Sequence, residues 1–324
     1  MKKLSFYFGQ LCVVMMAILA IGTFTSCSSD DDDEVTQGGG APTADGKKLQ
    51  FVKEGSSTSI FEYDNEGRVL KVTRSGSTIL FTYSESQVTV TATHNGSTSA
   101  EVTTYMLTNG RITKSIEKSS STSESDFITD FTYDGNGCLT TVDYSYSTNW
   151  SNGNNTNSSN SNTKTSYTWK DGNVTSVKRD YTNTSTSSYT RDNYEYINGQ
   201  YVNRPITYTN THRESSVRET IYTYSTHTYT MPPYEGDAED ILRWQGFFGK
   251  NNRNLVSKEQ ITRTSTSSDS SSDSTEQTNP SVSTSSSTID YSYTFNGNAL
   301  EKMFVTTTSD NNNVNVETIE FSWN

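Results

Sequence analysis

Apolar and polar positions alternate along most of this chain, and turn residues interrupt the alternation at short intervals. The stretch FEYDNEGRVLKV, Phe61 to Val72, shows the unit. Phe61 and Tyr63 share one face of a strand, because successive side chains of extended backbone point to opposite sides. DNEG then supplies turn chemistry: Asp64 and Asn65 can bond their own backbone, and Gly67 accepts positive φ. RVLKV begins the returning strand. The same order recurs in MLTNGRITKSI (Met106 to Ile116), FTYDGNGCLTTV (Phe131 to Val142), YTWKDGNVTSV (Tyr167 to Val177), YEYINGQYVNRPI (Tyr194 to Ile206) and YTFNGNALEKMFV (Tyr293 to Val305). Six such hairpins predict an antiparallel meander. Their uneven spacing excludes a strict solenoid.

One segment breaks the strand period. GDAEDILRWQGFFGK predicts a short helix over about 237–248, with Asp237 as N-cap and Asp240 three residues on. Ile241, Trp244 and Phe248 fall on one face with Leu242 beside them, Gly249 is placed to close the helix, and Pro232-Pro233 separates it from the preceding strand. The expected fold is all-β: a long antiparallel meander curled into an open barrel or roll, with this helix packed in the concavity. A mobile lid over a lipid-sized hollow is the alternative role for the helix. Three Ser/Thr/Asn-rich tracts, at about 118–127, 147–166 and 265–288, bury too little apolar surface to offset ordering entropy and are expected to be mobile loops.

Composition narrows the class. The 324 residues carry a net charge of −12, which argues against nucleic acid and against an anionic membrane surface as partners. Aliphatic residues are scarce, but 20 Tyr, 13 Phe and 4 Trp supply the rings that suit a half-buried pleated surface. Three segments are expected: a signal peptide over 1–26, a flexible acidic tether over 27–46, and a single β domain over 47–324. Lys2 and Lys3 open the chain, an apolar run follows, and FTSC ends at Cys27. This resembles the lipobox of bacterial lipoproteins, which implies cleavage before Cys27 and its acylation; an uncleaved transmembrane anchor is the competing reading. Acyl chains on Cys27 would then make the membrane a partner. With Cys12 lost and Cys27 lipidated, Cys138 alone remains, so no internal disulfide forms.

The run Ser28, Ser29, Asp30, Asp31, Asp32, Asp33, Glu34 is a charged, self-repelling spacer. It also resembles the acidic export signal of surface lipoproteins in Bacteroidota, which implies an outer-membrane, lipid-anchored protein facing the cell exterior. The hairpins resemble the YD repeats of Rhs-type proteins, through Tyr63-Asp64 with Gly67-Arg68 and Tyr133-Asp134 with Gly137. They are closer to a Bacteroidota surface lipoprotein family of unknown function built from degenerate YD-like hairpins. That family carries a short helix followed by Gly-Lys and then Asn-Leu-Pro-x-Lys. Here Gly249-Lys250, Asn254-Leu255 and Lys258 match, while Val256 replaces the proline; Thr108, Lys170 and Asn198 replace the Asp in other copies. The resemblance implies a fold and no activity. Asp273-Ser274-Thr275 resembles a short O-glycosylation acceptor, which implies modification at Ser274.

Chemistry is hard to assemble from the residues. His94, His212 and His227 lack metal-ligand spacing, and His212 and His227 are expected on neighbouring strands of one hairpin turning near Ser215-Ser216. No metal and no cofactor is expected. Carboxylates available for a hydrolytic pair are Glu195, Glu214, Glu219, Glu235 and Asp237, and nothing singles out two of them. Tyr222, Tyr224 and the Tyr291–Tyr293 pair form rows that would either stack on sugar rings or build cross-strand ladders. A non-catalytic binding or structural protein is therefore expected, with a glycan or a surface protein as partner. A carrier of lipid or another apolar ligand, and a hydrolase, are the alternatives.

Overall fold

The computed structural model describes residues 41–97, 99–118, 126–234, 237–272, 279–311 and 313–324. Eight short strands come first: β1 (Leu49–Glu54), β2 (Ser57–Tyr63), β3 (Val69–Arg74), β4 (Ser77–Tyr83), β5 (Gln87–His94), β6 (Glu101–Thr108), β7 (Arg111–Glu117) and β8 (Phe127–Tyr133). Longer ones follow: β9 (Leu139–Asn152), β10 (Asn155–Lys170), β11 (Asn173–Arg191), then a small hairpin of β12 (Tyr194–Ile197) and β13 (Gln200–Asn203), and β14 (Ile206–Thr228). After helix α1 (Ala238–Trp244) come β15 (Asn254–Ser271), β16 (Ser281–Asn296), β17 (Ala299–Ser309) and β18 (Val314–Trp323).

Sixteen of these strands form a closed antiparallel barrel, and the meander is not an open roll. The first strand pairs with the last, Val52 opposite Phe321 and Lys53 opposite Glu320. Lys48 and Asn324 exchange backbone hydrogen bonds at 2.8 Å beyond the ladder. Closure removes both sheet edges. Strand β11 pairs with β14, so the β12–β13 hairpin stands outside the cylinder, and only five of the six sequence tiles are barrel hairpins.

Each barrel tile has the same construction. The ladder slips by one residue at the aromatic or apolar position before the turn, giving the pairs Tyr63–Val69, Leu107–Ile112, Tyr133–Leu139, Trp169–Val174 and Phe295–Leu300. Such a bulge bends the strand and aims the following residue inward; Val69, Ile112, Leu139 and Leu300 are all fully buried. Turn length explains which tiles keep the aspartate. In the longer turns Asp64 Oδ1 accepts from the amides of Glu66 and Arg68, and Asp134 Oδ1 from those of Asn136 and Cys138. The two-residue turns Asn109-Gly110, Asp171-Gly172 and Asn198-Gly199 have positive φ at both positions, the hairpin geometry that needs no preceding carboxylate. Cys138 is buried at the end of its turn, directly before β9.

The rings close the pattern. Tyr63 Oη donates to the Leu49 carbonyl, Tyr83 to Val69 and Tyr133 to Ile112, each at 2.6 Å. Trp169 Nε1 donates to the Leu139 carbonyl and Trp323 Nε1 to that of Leu300, each at 2.8 Å. The inward tile residues Val69, Ile112, Leu139 and Leu300 thus have their carbonyls bonded to an aromatic ring from a neighbouring strand pair, and Leu49 of β1 is held in the same way. Aromatics are used here because one side chain supplies both apolar area and a polar tip.

Two of the three polar tracts are not loops. Residues 147–152 and 155–166 lie within β9 and β10, and 265–271 and 281–288 within β15 and β16; the first tract falls largely on 119–125, outside the described residues. Thr-rich backbone with a paired neighbour on each side is held by ladder hydrogen bonds and does not need an apolar face. Likewise Ile206–Thr228 is one strand, with Ser215 and Ser216 in mid-ladder opposite Thr266 and Ser265. No Gly, Pro or Asn-Gly pair is there to turn it.

Candidate functional site

Residues 229–234 and 237–253, the plug, fill the barrel at its apolar end. Asp237 caps α1 by accepting from the Asp240 amide, as its residue type predicts. The helix stops at Trp244, earlier than expected, and Gly246 rather than Gly249 closes it. Gly246 has φ +83°, the Phe247 amide bonds the Leu242 carbonyl and the Gly246 amide bonds that of Arg243, the pattern of a Schellman cap. Ile241 and Leu242 are fully buried. Phe248 meets the rings of Tyr105 and Phe131 edge-on, and Phe247 stacks on Tyr83.

This plug also completes the bulges. A bulge leaves an amide outside the ladder, and a buried unpaired amide costs about 1–3 kcal/mol. The Val69 amide donates to Gln245 Oε1, Ile112 to the Phe247 carbonyl, Val174 to Asn252 Oδ1 and Leu300 to Tyr229 Oη. Gly249 brings the plug against the third tile: a Cβ there would run into the carbonyl oxygen of Gly137. The helix is therefore a bonded core element rather than a lid.

Between the plug and strands β10, β11 and β14–β16 lies a cavity of 360 Å³. One wall is aromatic, with Tyr167, Tyr222, Tyr291 and Tyr293. The opposite wall comes from the plug and presents Arg243, Trp244 and Asn251. Burial pushes the phenols of Tyr222, Tyr291 and Tyr293 far above their ordinary value, so all three remain neutral hydroxyls. Tyr293 Oη donates to the Val256 carbonyl and Tyr291 Oη to Glu259 Oε1. Trp244 is 3% exposed and, among the described residues, its Nε1 has no hydrogen-bond partner.

The structure brings together some of the residues picked out in the sequence. Tyr222, Tyr291 and Tyr293 share the cavity; Tyr224 instead donates to the Val174 carbonyl, a structural bond. They are an interior wall rather than exposed rows. His212 and His227 lie on one strand, roughly 50 Å apart at 3.3 Å per residue, and His212 Nδ1 contacts Asp269 at 2.7 Å. Glu195 pairs with Arg204 beside the outer hairpin, Asp237 is the helix cap, and Glu214 and Glu219 have opposite parity on β14. No two of these make a site. Glu235, Cys27, the run Ser28 to Glu34 and Ser274 lie outside the described residues. The cavity's own carboxylates, Asp240 and Glu259, and its indole were missed, because only the register of the strands and the seat of the plug juxtapose them. Among the described residues no three His, Cys, Asp or Glu are grouped to hold a metal.

Residues 61–300 match the model of a domain of unknown function with porin-like fold, DUF4595. The chain belongs to that family. Among solved structures, the chain is similar to a porin-like protein from Bacteroides uniformis ATCC 8492, 12% identical, with 87% of this chain and 99% of that one covered and a TM-score of 0.46. A porin-like protein from Bacteroides vulgatus ATCC 8482 is also 12% identical, covering 85% and 98%, with a TM-score of 0.36. No curated protein matches the chain. The DUF4595 match indicates no catalytic family, and the likeness to Rhs-type repeats rests on the tiles alone.

Proposed function

We propose that the protein is a non-catalytic binding protein whose ligand, a neutral saccharide, occupies the aromatic cavity behind the plug. The observation that carries this is the Trp244 indole, a buried donor without a partner beside a wall of tyrosines. Aromatic faces stack on the C–H faces of sugar rings, and a sugar hydroxyl would accept from the indole N–H once the ring turns its edge toward the cavity. At 360 Å³ the cavity sits at the small end of ligand sites, which run from about 300 to 1,000 Å³. Carriage of lipid through a moving gate is disfavoured, since the plug is bonded to four tiles. The test is saccharide-array binding followed by titration with Trp244→Phe, which keeps the ring and removes the donor. A loss of affinity of about tenfold with unchanged or higher thermal stability is expected. Equal affinity of Trp244→Phe and wild type sinks the assignment.

Membrane attachment falls to Cys27 and the barrel wall stays in water, facing the cell exterior. Support comes from the outer face, where Lys71–Glu62, Lys114–Asp130, Lys258–Asp290 and Lys302–Glu320 pair around the cylinder between single exposed apolar residues such as Ile60, Ile128 and Ile221, while the buried apolar core points in. A lipid-spanning barrel has the reverse pattern, and a Lys or Arg at mid-bilayer costs about 2–4 kcal/mol. Cys27→Ser is expected to move the protein from the membrane to the soluble fraction. Retention after an alkaline wash would mean that the strands themselves enter lipid.

A further inference from the structure

Cross-strand charges on this barrel are arranged to cancel, with one exception. Lys302 faces Glu320, which faces Lys53; Lys71 faces Glu62; Lys258 faces Asp290. Where Asp130 faces Asp143, Lys114 and Lys164 flank the pair. The exception is a row in which Arg179 of β11, Arg218 of β14 and Arg263 of β15 are directly opposed, flanked by Thr165 and Ser285. Neighbouring strands lie about 4.8 Å apart, and like charges directly opposite each other are destabilising. In a chain of net charge −12, three adjacent cations are not explained by general basicity.

The row faces inward. It continues through Thr165 to Val142, which packs on the core, and Ser216 and Thr220, on the same face of β14 as Arg218, are buried. The guanidinium-bearing side chains are themselves exposed to solvent within the wall. They line a cavity of 780 Å³ that shares no residue with the aromatic one. Among the described residues, none of the three arginines makes an ion pair. Two carboxylates border the cavity. Asp310 is taken up by Ser286, accepting from both its amide and its hydroxyl, and Glu214 lies four residues along β14 from Arg218, roughly 13 Å.

We propose that Arg179, Arg218 and Arg263 form an oxyanion-binding site for a ligand presenting two or more negative charges, as a phosphate or sulfate group does. Guanidinium forks match such groups in bidentate geometry, and three of them held on rigid strands are preorganised for it. The bound anion replaces the missing counter-charge and relieves the repulsion within the row. The site stands apart from the saccharide reading and survives its failure.

The experiment compares the full chain in detergent with Arg218→Gln and with Arg213→Gln, which removes the same charge from the other face of β14. Thermal midpoints and calorimetric titrations are recorded at low, fixed ionic strength with inorganic phosphate, inorganic sulfate and a sulfated oligosaccharide. Without these anions Arg218→Gln is expected to melt higher than wild type. With them, wild type and Arg213→Gln bind and gain midpoint, while Arg218→Gln binds at least tenfold more weakly; added chloride weakens the binding. A response to the inorganic anions alone identifies a free ion as ligand, and preference for the oligosaccharide identifies a sulfated glycan. The proposal is overturned if no anion shifts wild type, or if Arg218→Gln responds as wild type does.

Discussion

The two halves of the cylinder wall are stabilised by different means. Around β1–β8 the strands are short, and Phe61, Val72, Phe81, Val88 and Phe131 share one buried core with the plug. The upper parts of β9–β11 and β14–β16 carry Ser, Thr and Asn on both faces and little apolar surface. There the hydroxyls bond across strands, Ser188 with Thr209 at 3.0 Å, Thr190 with Thr207 at 2.8 Å and Ser267 with Ser281 at 2.8 Å. A sheet can therefore be extended well past its core, provided each strand finds a partner on both sides. What it loses is sensitivity to any single side chain.

That contrast can be broken by substitution. Phe248→Ala at the plug should cost about 3–5 kcal/mol in denaturant unfolding, because a fully buried ring leaves a cavity that its neighbours cannot collapse. The matched change in the extension, Thr190→Val, should stay within about 0.5 kcal/mol of wild type. A comparable loss at both sites would show that the long strands are part of the same core.

Tyr133→Phe comes next. It keeps the ring and removes the donor to the Ile112 carbonyl, and a loss of about 1–3 kcal/mol in thermal unfolding is expected. No loss would mean that the tile needs the ring and not its hydroxyl.

The smallest effect concerns acid. Burial alone would raise Asp64, but hydrogen bonds from the Arg68 side chain and backbone outweigh it and hold the carboxyl below the ordinary 3.8. A depressed folded value adds stability that is complete above the unfolded value and is lost as pH falls through the folded one. Asp64→Asn should therefore flatten the decline of stability below about pH 4 and lower stability slightly at neutral pH. An unchanged acid slope would assign the decline to other carboxylates.

The tiles were legible in the sequence because their information is local: a ring, a turn with Gly, then an inward β-branched or leucine residue. Closure was not, since nothing within Leu49–Glu54 announces that Val314–Trp323 is its partner. The Ser/Thr tracts were misread for a related reason. Their order comes from neighbours on adjacent strands, and a test of apolar content is blind to it. The helix was legible through Asp237, although its end was misplaced because two glycines, Gly246 and Gly249, both have positive φ. The site residues were the least visible. Arg179, Arg218 and Arg263 become a row only in the register of β11, β14 and β15.

The capped bulges impose an order in time. Val69 and Ile112 are made early, but the groups that complete them, Gln245 and Phe247, are made more than a hundred positions later, and β1 waits for β18. Contacts so distant along the chain are formed slowly, because the intervening segment must first be gathered. A chain emerging from its N-terminus, through a ribosome or a translocation channel, thus carries a half-cylinder of strands that cannot lock until nearly everything has arrived. The molecule stays threadable until its final strand is delivered.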